Sequence, residues 1–297
     1  MSASACGGRL RGPPPLPAAP ALSAAADAIP PDLDVVVRLD LAKVRAALGP
    51  LALETLGRQL LHSNAEADVD RMLLESLLVA DVVYLGYRPD ARLLPLDRVL
   101  ALEGRFEQPR RPPVGFRSAA DLGGNVRHWD RSAPARERGD VARVYAARER
   151  ILAFVSEAEL DAVERLLSRR SRSESGPRPP EEGTLSLAAR PALLRPFFQG
   201  ETLRGLLETA RRLTAVVDLQ SDVVLGEIAL EMTQPGDAER LASAASAVLS
   251  RLDSDVAKRA QLRAESAHVV CELRLARSDL ASLFDCATRA GGVECAW

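Results

Sequence analysis

The sequence predicts an α+β protein made of two related copies, each an antiparallel sheet covered by helices on one face. The first reason is that residues 34–49 have an echo at 184–199. The second is that strand patterns come in consecutive runs, with helical patterns grouped before and after them, as α+β folds require. The third is the length of 297 residues, which suffices for two ordinary domains with separate cores.

The echo keeps a constant offset of 150 residues. The residues Val35, Val37, Val44, Arg45 and Leu48 fall on Leu185, Leu187, Leu194, Arg195 and Phe198. Further on, LLES at 73–76 returns as LLET at 206–209, and Gln108-Pro109 returns as Gln234-Pro235. A repeat of this length predicts a duplicated domain and not a solenoid.

Composition places the boundaries of these copies. Residues 1–31 are rich in Pro and Ala and predict a disordered tether, and the polar residues 168–182 predict a linker. The first copy is therefore expected at 32–167 and the second at 183–297.

Hydrophobic periodicity gives the elements of the first copy. We expect strands at 34–41, 81–87, 98–106 and in a hairpin around 141–156, with a helix ending at Leu48. Capping boxes at 63–66 and 156–159 predict two further helices. The segment 107–139 has no period, and we expect a long loop there.

The second copy is expected to repeat this plan. Its predicted strands are 184–190, 214–219, 222–233 and 267–276. Its predicted helices are 192–199, 201–213, 237–252 with a helical stretch to about residue 264, and 278–289.

Composition also excludes function classes. The net charge of −2 argues against a nucleic-acid partner, and the 4% aromatic content argues against base stacking. The sequence contains no run of 18 consecutive apolar residues, so it predicts no membrane-spanning helix. A membrane is expected as a partner only through a lipid anchor.

Cys6 is the candidate for that anchor. The run Ala3-Ser4-Ala5-Cys6-Gly7-Gly8 resembles the cleavage box of bacterial lipoproteins, and this resemblance implies a diacylated cysteine and a location in the cell envelope. No apolar stretch precedes Cys6, so export by this route requires a start codon upstream of Met1. The alternative is a disordered cytoplasmic tail.

The other cysteines carry weaker expectations. Cys286 and Cys295 are nine residues apart around Gly291-Gly292, so they either form a disulfide in an oxidising compartment or stay reduced. Cys271 alternates with apolar residues in a strand and is expected to be a buried, inert thiol.

Few residues suggest catalysis. No Walker A loop, dinucleotide-binding glycine pattern or GxSxG elbow is present. His62, His128 and His268 have no partner at metal-ligand spacing, so we expect no metal and no cofactor. His268 and Cys271 are three apart in a strand and should point to opposite faces.

The remaining candidate ligand-binding residues are Asn125, His128 and Asp130 in the predicted long loop. In extended backbone, His128 and Asp130 share a face while Trp129 packs inward. Glu227 and Glu231 share a face of one predicted strand, and Glu272 and Arg274 share a face of another. We expect both pairs on a solvated face of the sheet.

The tandem copies, the Pro/Ala tether and the Cys6 box together resemble uncharacterised exported proteins of GC-rich bacteria. The expected function is a non-enzymatic, envelope-located protein that binds or scaffolds an unknown protein or small molecule, with the cleft between the copies as its binding place. Two alternatives remain: a soluble cytoplasmic interaction module, and an enzyme that uses the His128 loop.

Overall fold

The computed structural model describes residues 22–49, 68–90, 95–106, 112, 115–119, 126–134, 139–168, 176–197, 201–220, 222–250 and 258–276. Within them lies one twelve-stranded sheet in which every neighbouring pair is antiparallel. The fold is mixed α+β, as predicted. No helix in this part of the chain is long and apolar enough to cross a membrane.

The first half of the fold, residues 22–168, contains seven described strands and three described α-helices. The strands are β1 (Val35–Asp40), β2 (Ala80–Pro89), β3 (Pro95–Gly104), β4 (Phe116–Ser118), β5 (Val126–Arg131), β6 (Val141–Ala147) and β7 (Ile151–Ser156). The helices are α1 (Leu41–Leu48), α2 (Asp68–Val79) and α3 (Leu160–Ser168), and two 3-10 turns lie at Ala25–Ala28 and Glu157–Glu159.

The second half, residues 176–276, contains five described strands and two described α-helices. The strands are β8 (Leu185–Ala189), β9 (Ala210–Leu219), β10 (Val223–Met232), β11 (Ala260–Glu265) and β12 (His268–Ala276). The helices are α4 (Glu201–Glu208) and α5 (Pro235–Leu249), and a 3-10 turn covers Pro191–Phe197.

The two halves share one sheet. Its order is β11-β12-β10-β9-β8-β1-β2-β3-β7-β6-β5-β4, so the halves meet where β8 pairs with β1. Continuous strand pairing, and not a cleft, therefore joins the described parts of the two halves.

The front face of the sheet carries Val35, Val37 and Leu39 of β1. Over the first half it is covered by α1 and α2, which bury Leu41 and Leu73. Over the second half, α4 and α5 cover part of it. Asp40 caps α1 by accepting a hydrogen bond from the Lys43 amide at 3.0 Å, and Gly49 ends the helix with a φ of 81°.

The back face of the first half is also covered, which corrects the prediction of helices on one face only. The segment 22–33 and α3 pack on it, and Leu22, Ala25, Ala28 and Leu33 are fully buried there. Residues 22–31 thus belong to the folded part and not to the expected tether. Gly86 allows this approach, because a Cβ at that position would lie 2.5 Å from Leu33 Cδ1.

Three element predictions were wrong. The predicted loop 107–139 contains β4 and β5, because arginine and histidine side chains obscure the alternation of β5. The predicted helix 201–213 ends at Glu208, since Leu213 belongs to β9 and pairs with Leu230. The predicted helical stretch to residue 264 is instead the strand β11, which pairs with β12.

Several predictions lie outside the described residues. They concern the capping box at 63–66, the Gln108-Pro109 pair and the helix at 278–289.

Candidate functional site

His128 and Asp130 lie in β5 on the back face of the sheet. Trp129, between them, points to the front face and is buried beside Val144, so the predicted alternation is confirmed. His128 is buried and stacks on Tyr145, with ring centroids 5.8 Å apart. It is part of the packed back face and not of an exposed loop.

Asp130 belongs to an ion-pair cluster centred on Arg143. Arg143 Nε donates to Asp130 at 2.5 Å, and its Nη1 donates to Glu164 of α3 and, at 3.2 Å, to the Tyr145 hydroxyl. Burial raises the pKa of Tyr145, although Arg143 opposes that rise. The cluster ties α3 to β5 and β6, which is a structural role.

The cluster around His128 is far from the second half. Six strand steps separate β5 from β8 in the sheet order, which is about 29 Å at ~4.8 Å per step. The contacts of Arg143 and His128 described above all come from the first half. Asn125, the third candidate residue, lies outside the described residues.

Of the four cysteines, the structure describes Cys271. It is half-buried on the front face, directly opposite Ile228 of β10 and Leu262 of β11, and burial raises the pKa of its thiol. His268 is exposed on the back face opposite Glu231, so the predicted separation of His268 from Cys271 is confirmed. Cys6, Cys286, Cys295 and His62 lie outside the described residues.

The acidic residues of β10 and β12 lie on the back face, as predicted. Glu227 faces Glu272 directly across the strand pair, where two carboxylates repel each other. Arg263 of β11 offsets this repulsion, with its guanidinium 2.7 Å from Glu272 and 2.5 Å from Glu265. Arg263 therefore lowers the pKa of Glu272. In the described part of the chain, no three His, Cys, Asp or Glu side chains are arranged to hold a metal ion.

A surface that the sequence did not predict lies on the front face of the second half. Two rows of apolar residues cross β1, β8, β9, β10, β12 and β11 side by side; we call them the apolar strip. Row one is Val37, Leu187, Ala215, Ile228, Cys271 and Leu262, and row two is Leu39, Leu185, Val217, Gly226, Leu273 and Ala260.

The strip differs from the neighbouring row in its burial. That row consists of Val35, Ala189, Leu213, Leu230 and Val269, all of which are buried under α4 and α5. The strip residues are half-buried or exposed, and Ile228, in the middle of an interior strand, keeps 50% of its surface exposed. The alternation of apolar and polar residues places these side chains on one face of the sheet. It does not show which rows of that face the helices leave uncovered.

Two buried charged groups lie in the first half. Arg38 of β1 is only 8% exposed, and its Nη2 donates to Asp40 Oδ2 at 3.2 Å. Glu159 is 2% exposed and accepts from Arg88 Nε at 2.9 Å. Burial raises the pKa of Glu159 despite this arginine.

Arg88 of the first half and Arg190 of the second half both bind Asp32. Arg88 binds the Asp32 carboxylate at 2.8 Å, and Arg190 of the second half donates to the Asp32 carbonyl at 3.1 Å. Arg190 lies 3.4 Å from Asp34 as well. The contacts of Arg190 link the halves, and the other pairs hold the first half together. These groups have a structural explanation, so the apolar strip is the better candidate for a functional surface.

Comparison with known proteins finds similarity in structure but not in sequence. No protein-family model and no curated protein matches this chain. Three crystal forms of TP0453 are similar in structure at 13% sequence identity, and each covers 87% of this chain. Forms I, III and IV give TM-scores of 0.48, 0.47 and 0.46 over 96%, 96% and 95% of the TP0453 chain.

Proposed function

We propose that this chain is a non-enzymatic binding or scaffolding protein of the cell envelope. The observation that carries the binding role is the apolar strip. Contiguous apolar surface that remains open on a folded protein is typical of an interaction site, because exposing it to water has a free-energy cost. Ile228, half exposed in the middle of the sheet, is its centre.

The shape of the strip favours a protein partner over a small molecule. Small-molecule sites are concave, whereas the strip is a sheet surface of two parallel rows. It extends over about 24 Å across six strands, and its rows are about 7 Å apart. An amphipathic helix, about 10 Å in diameter, has the dimensions to lie on both rows.

The flanking elements support the same occupant. α1 covers the sheet on the side of the first half, and α4 and α5 cover the row that contains Val35 and Leu230. A partner helix that binds on the strip would contact side chains of these helices in addition to the strands beneath it. Gly226 and Ala215 lie at the centre of the floor, where their small size permits close approach.

The envelope location remains a proposal that rests on Cys6. The Ala3-Ser4-Ala5-Cys6 run resembles a lipoprotein cleavage box, and Leu22, the first described residue, is buried in the first half. A lipid on Cys6 would hold the strip near a membrane without any membrane-spanning segment.

We also propose that the two halves are copies of one unit. Counted outward from the junction, the strand order is β1-β2-β3-β7-β6 in one direction and β8-β9-β10-β12-β11 in the other. These orders match position by position, and β4 and β5 extend the first half alone. The sequence echo between 34–49 and 184–199 supports the same interpretation.

Intact mass and membrane partitioning of the protein from its native host test the location. A diacylglyceryl adduct on Cys6 with loss of residues 1–5 is the expected result. A soluble, unmodified chain that retains Met1 would overturn the envelope proposal and favour a cytoplasmic interaction module.

A photo-crosslinking residue in place of Ile228 tests the strip. We expect a discrete crosslinked protein in the native host, with the crosslink mapped by mass spectrometry to an apolar face of a helix. The control is the same residue in place of Val248, which is 45% exposed on α5 outside the strip. Equal crosslinking at both positions, or none at Ile228, would contradict the proposal.

A further inference from the structure

Val224 and Leu275 form a third row on the front face, next to row two of the apolar strip. They lie opposite each other near the start of β10 and the end of β12, and each is only 4% exposed. Neither belongs to any of the three hydrophobic cores in the described part of the chain. The described helices therefore do not explain why this third row is buried.

The segment that follows β12 begins beside this third row. β12 ends at Ala276, one residue after Leu275, and residues 277–297 lie outside the described residues. Their sequence predicts a helix at 278–289. Its apolar residues, at the spacing i, i+3, i+4 and i+7 of one helix face, are Leu280, Leu283, Phe284 and Ala287. The opposite face carries Ser278, Ser282, Asp285 and Arg289. An amphipathic helix of this kind needs an apolar surface on which to bury one face.

The back face of the second half does not offer that surface. In the first half, α3 follows β7 and packs on back-face residues that are apolar, Val99, Ala101 and Val155. Counted outward from the junction, the strand positions that match them in the second half are Glu227, Ala229 and Glu272. An apolar helix face placed there would remove carboxylates from water, which costs free energy. The front face is the apolar surface that remains.

We propose that residues 278–289 form an amphipathic helix that binds on the front face of their own chain, over the third row and row two of the strip. Row two is close to the end of β12, because Leu273 is two residues before Leu275, about 7 Å along the strand. A helix of this length is about 18 Å long and reaches across β12, β10 and β9, which lie about 4.8 Å apart. Its apolar face then contacts Leu273 and Val217, and Gly226 between them permits close approach.

The segment is then an internal competitor for the apolar strip, a consequence that rests on the proposed function. A partner helix that lies on both rows has to displace the segment from row two, while Ile228 in row one stays open to a first contact. The affinity for the partner is reduced by the fraction of chains in which the segment covers row two. The segment therefore regulates binding at the strip.

A photo-crosslinking residue in place of Val217 tests this contact in the purified full chain. Val217 lies in row two on β9, two strands away from the end of β12. We expect a crosslink within one chain, mapped by mass spectrometry to residues 278–289. The control is the same residue in place of Leu225, which is 37% exposed on the back face of β10 and should give no such crosslink.

Substitutions in the segment make the test specific. Leu283→Glu should lower the yield of the Val217 crosslink at least about fivefold, because it places a charge in the apolar contact. Ser282→Glu adds the same charge on the opposite helix face, and Leu283→Met keeps an apolar side chain, so both should leave the yield unchanged. The proposal would be overturned by a crosslink from Leu225 to the segment, by a crosslink between two chains, by no crosslink from Val217, or by equal losses with the two glutamates.

Capture of a host protein by the crosslinking residue at Ile228 separates this inference from the proposed function. Leu283→Glu should raise the yield of that capture at least about twofold, and an unchanged yield would contradict the competition. If Val217 gives the crosslink within the chain but Ile228 captures no host protein in either background, the binding function is wrong and the contact stands. If Ile228 captures a host protein while Val217 gives no crosslink within the chain, this inference is wrong and the binding function stands.

Discussion

Val37 and Leu187 lie directly opposite each other in the β1–β8 pair at the centre of the sheet. They are also 150 residues apart, which is the offset between the matching residues of the two echoing segments. A local two-fold axis between these two side chains therefore carries β1 onto β8. The sequence echo and the strand register agree at this position.

Val35 tests whether the halves unfold together. It belongs to β1 but packs in the core of the second half, beside Leu213 and Leu230. We expect Val35→Ala to lower the free energy of unfolding by about 2 kcal/mol, because it leaves a cavity in that core. Since the sheet is continuous, we expect one transition that shifts equally for both halves.

Urea unfolding with two probes measures this. Fluorescence of Trp129, which is buried in the first half, is recorded in a Trp297→Phe background, and far-UV circular dichroism reports both halves. If the circular dichroism transition moved while the Trp129 transition stayed in place, the halves would be independent and the prediction would be wrong.

The sequence predicted the strands whose side chains alternate clearly. β1, β8, β10 and β12 were expected close to where they lie, and so was the solvated back face around Glu227. Period-two alternation is a local property, so it can be observed without knowledge of the fold.

The elements that were missed depend on distant partners. Ala260–Glu265 contains good helix formers, yet pairing with β12 makes it a strand. The apolar strip was also beyond prediction, since its exposure depends on where α4 and α5 end on the sheet. The same holds for His128, whose environment is set by Tyr145 of the neighbouring strand.

Gly86→Ala should destabilise the fold by about 1 to 3 kcal/mol, because the added methyl group enters a filled space. Its Cβ would lie 2.5 Å from Leu33 Cδ1 and 2.9 Å from Ile29 Cγ2, and Leu33 is fully buried. The matched control is Gly226→Ala, also in a strand, whose Cβ would have its nearest neighbour at 3.8 Å.

The control should be neutral or stabilising, because alanine loses less conformational freedom than glycine on folding. Urea midpoints of both variants measure the difference. Adding Leu33→Val to Gly86→Ala should recover part of the loss. Equal urea midpoints for the two glycine variants would show that segment 22–33 does not pack closely against β2 at Gly86.

Glu159→Gln should become more stabilising as the pH rises. Burial raises the pKa of Glu159 in the folded state, so folding favours the protonated carboxyl. Below the ordinary carboxyl pKa both states are protonated and Glu159 adds no charge penalty. As the pH rises from that value through the raised folded pKa, the wild type loses stability that the glutamine variant keeps.

The measurement is the urea midpoint of both proteins from pH 4 to pH 7, with Glu157→Gln as the exposed control on the same turn. The gap between Glu159→Gln and wild type should widen with pH, and the control should show no such trend. A gap that narrows with pH would mean that the Arg88 ion pair outweighs burial, contrary to the expected direction.

Arg143→Met should destabilise the fold by about 1 to 2 kcal/mol, because it leaves Asp130 and Glu164 without their shared cation. Arg71→Met is the matched control. Arg71 pairs with Glu75 on the exposed surface of α2, with both side chains more than half exposed, and its loss should cost less than about 0.5 kcal/mol.

The dependence of stability on salt concentration distinguishes Arg143→Met from Arg71→Met. Salt screens the exposed Arg71 pair strongly and the partly buried Arg143 cluster much less. We therefore expect the Arg143→Met loss to persist in high salt, as measured by urea midpoints at low and high ionic strength. A loss that disappears with salt would show that the cluster is a solvated surface network that does not fasten α3 to the sheet.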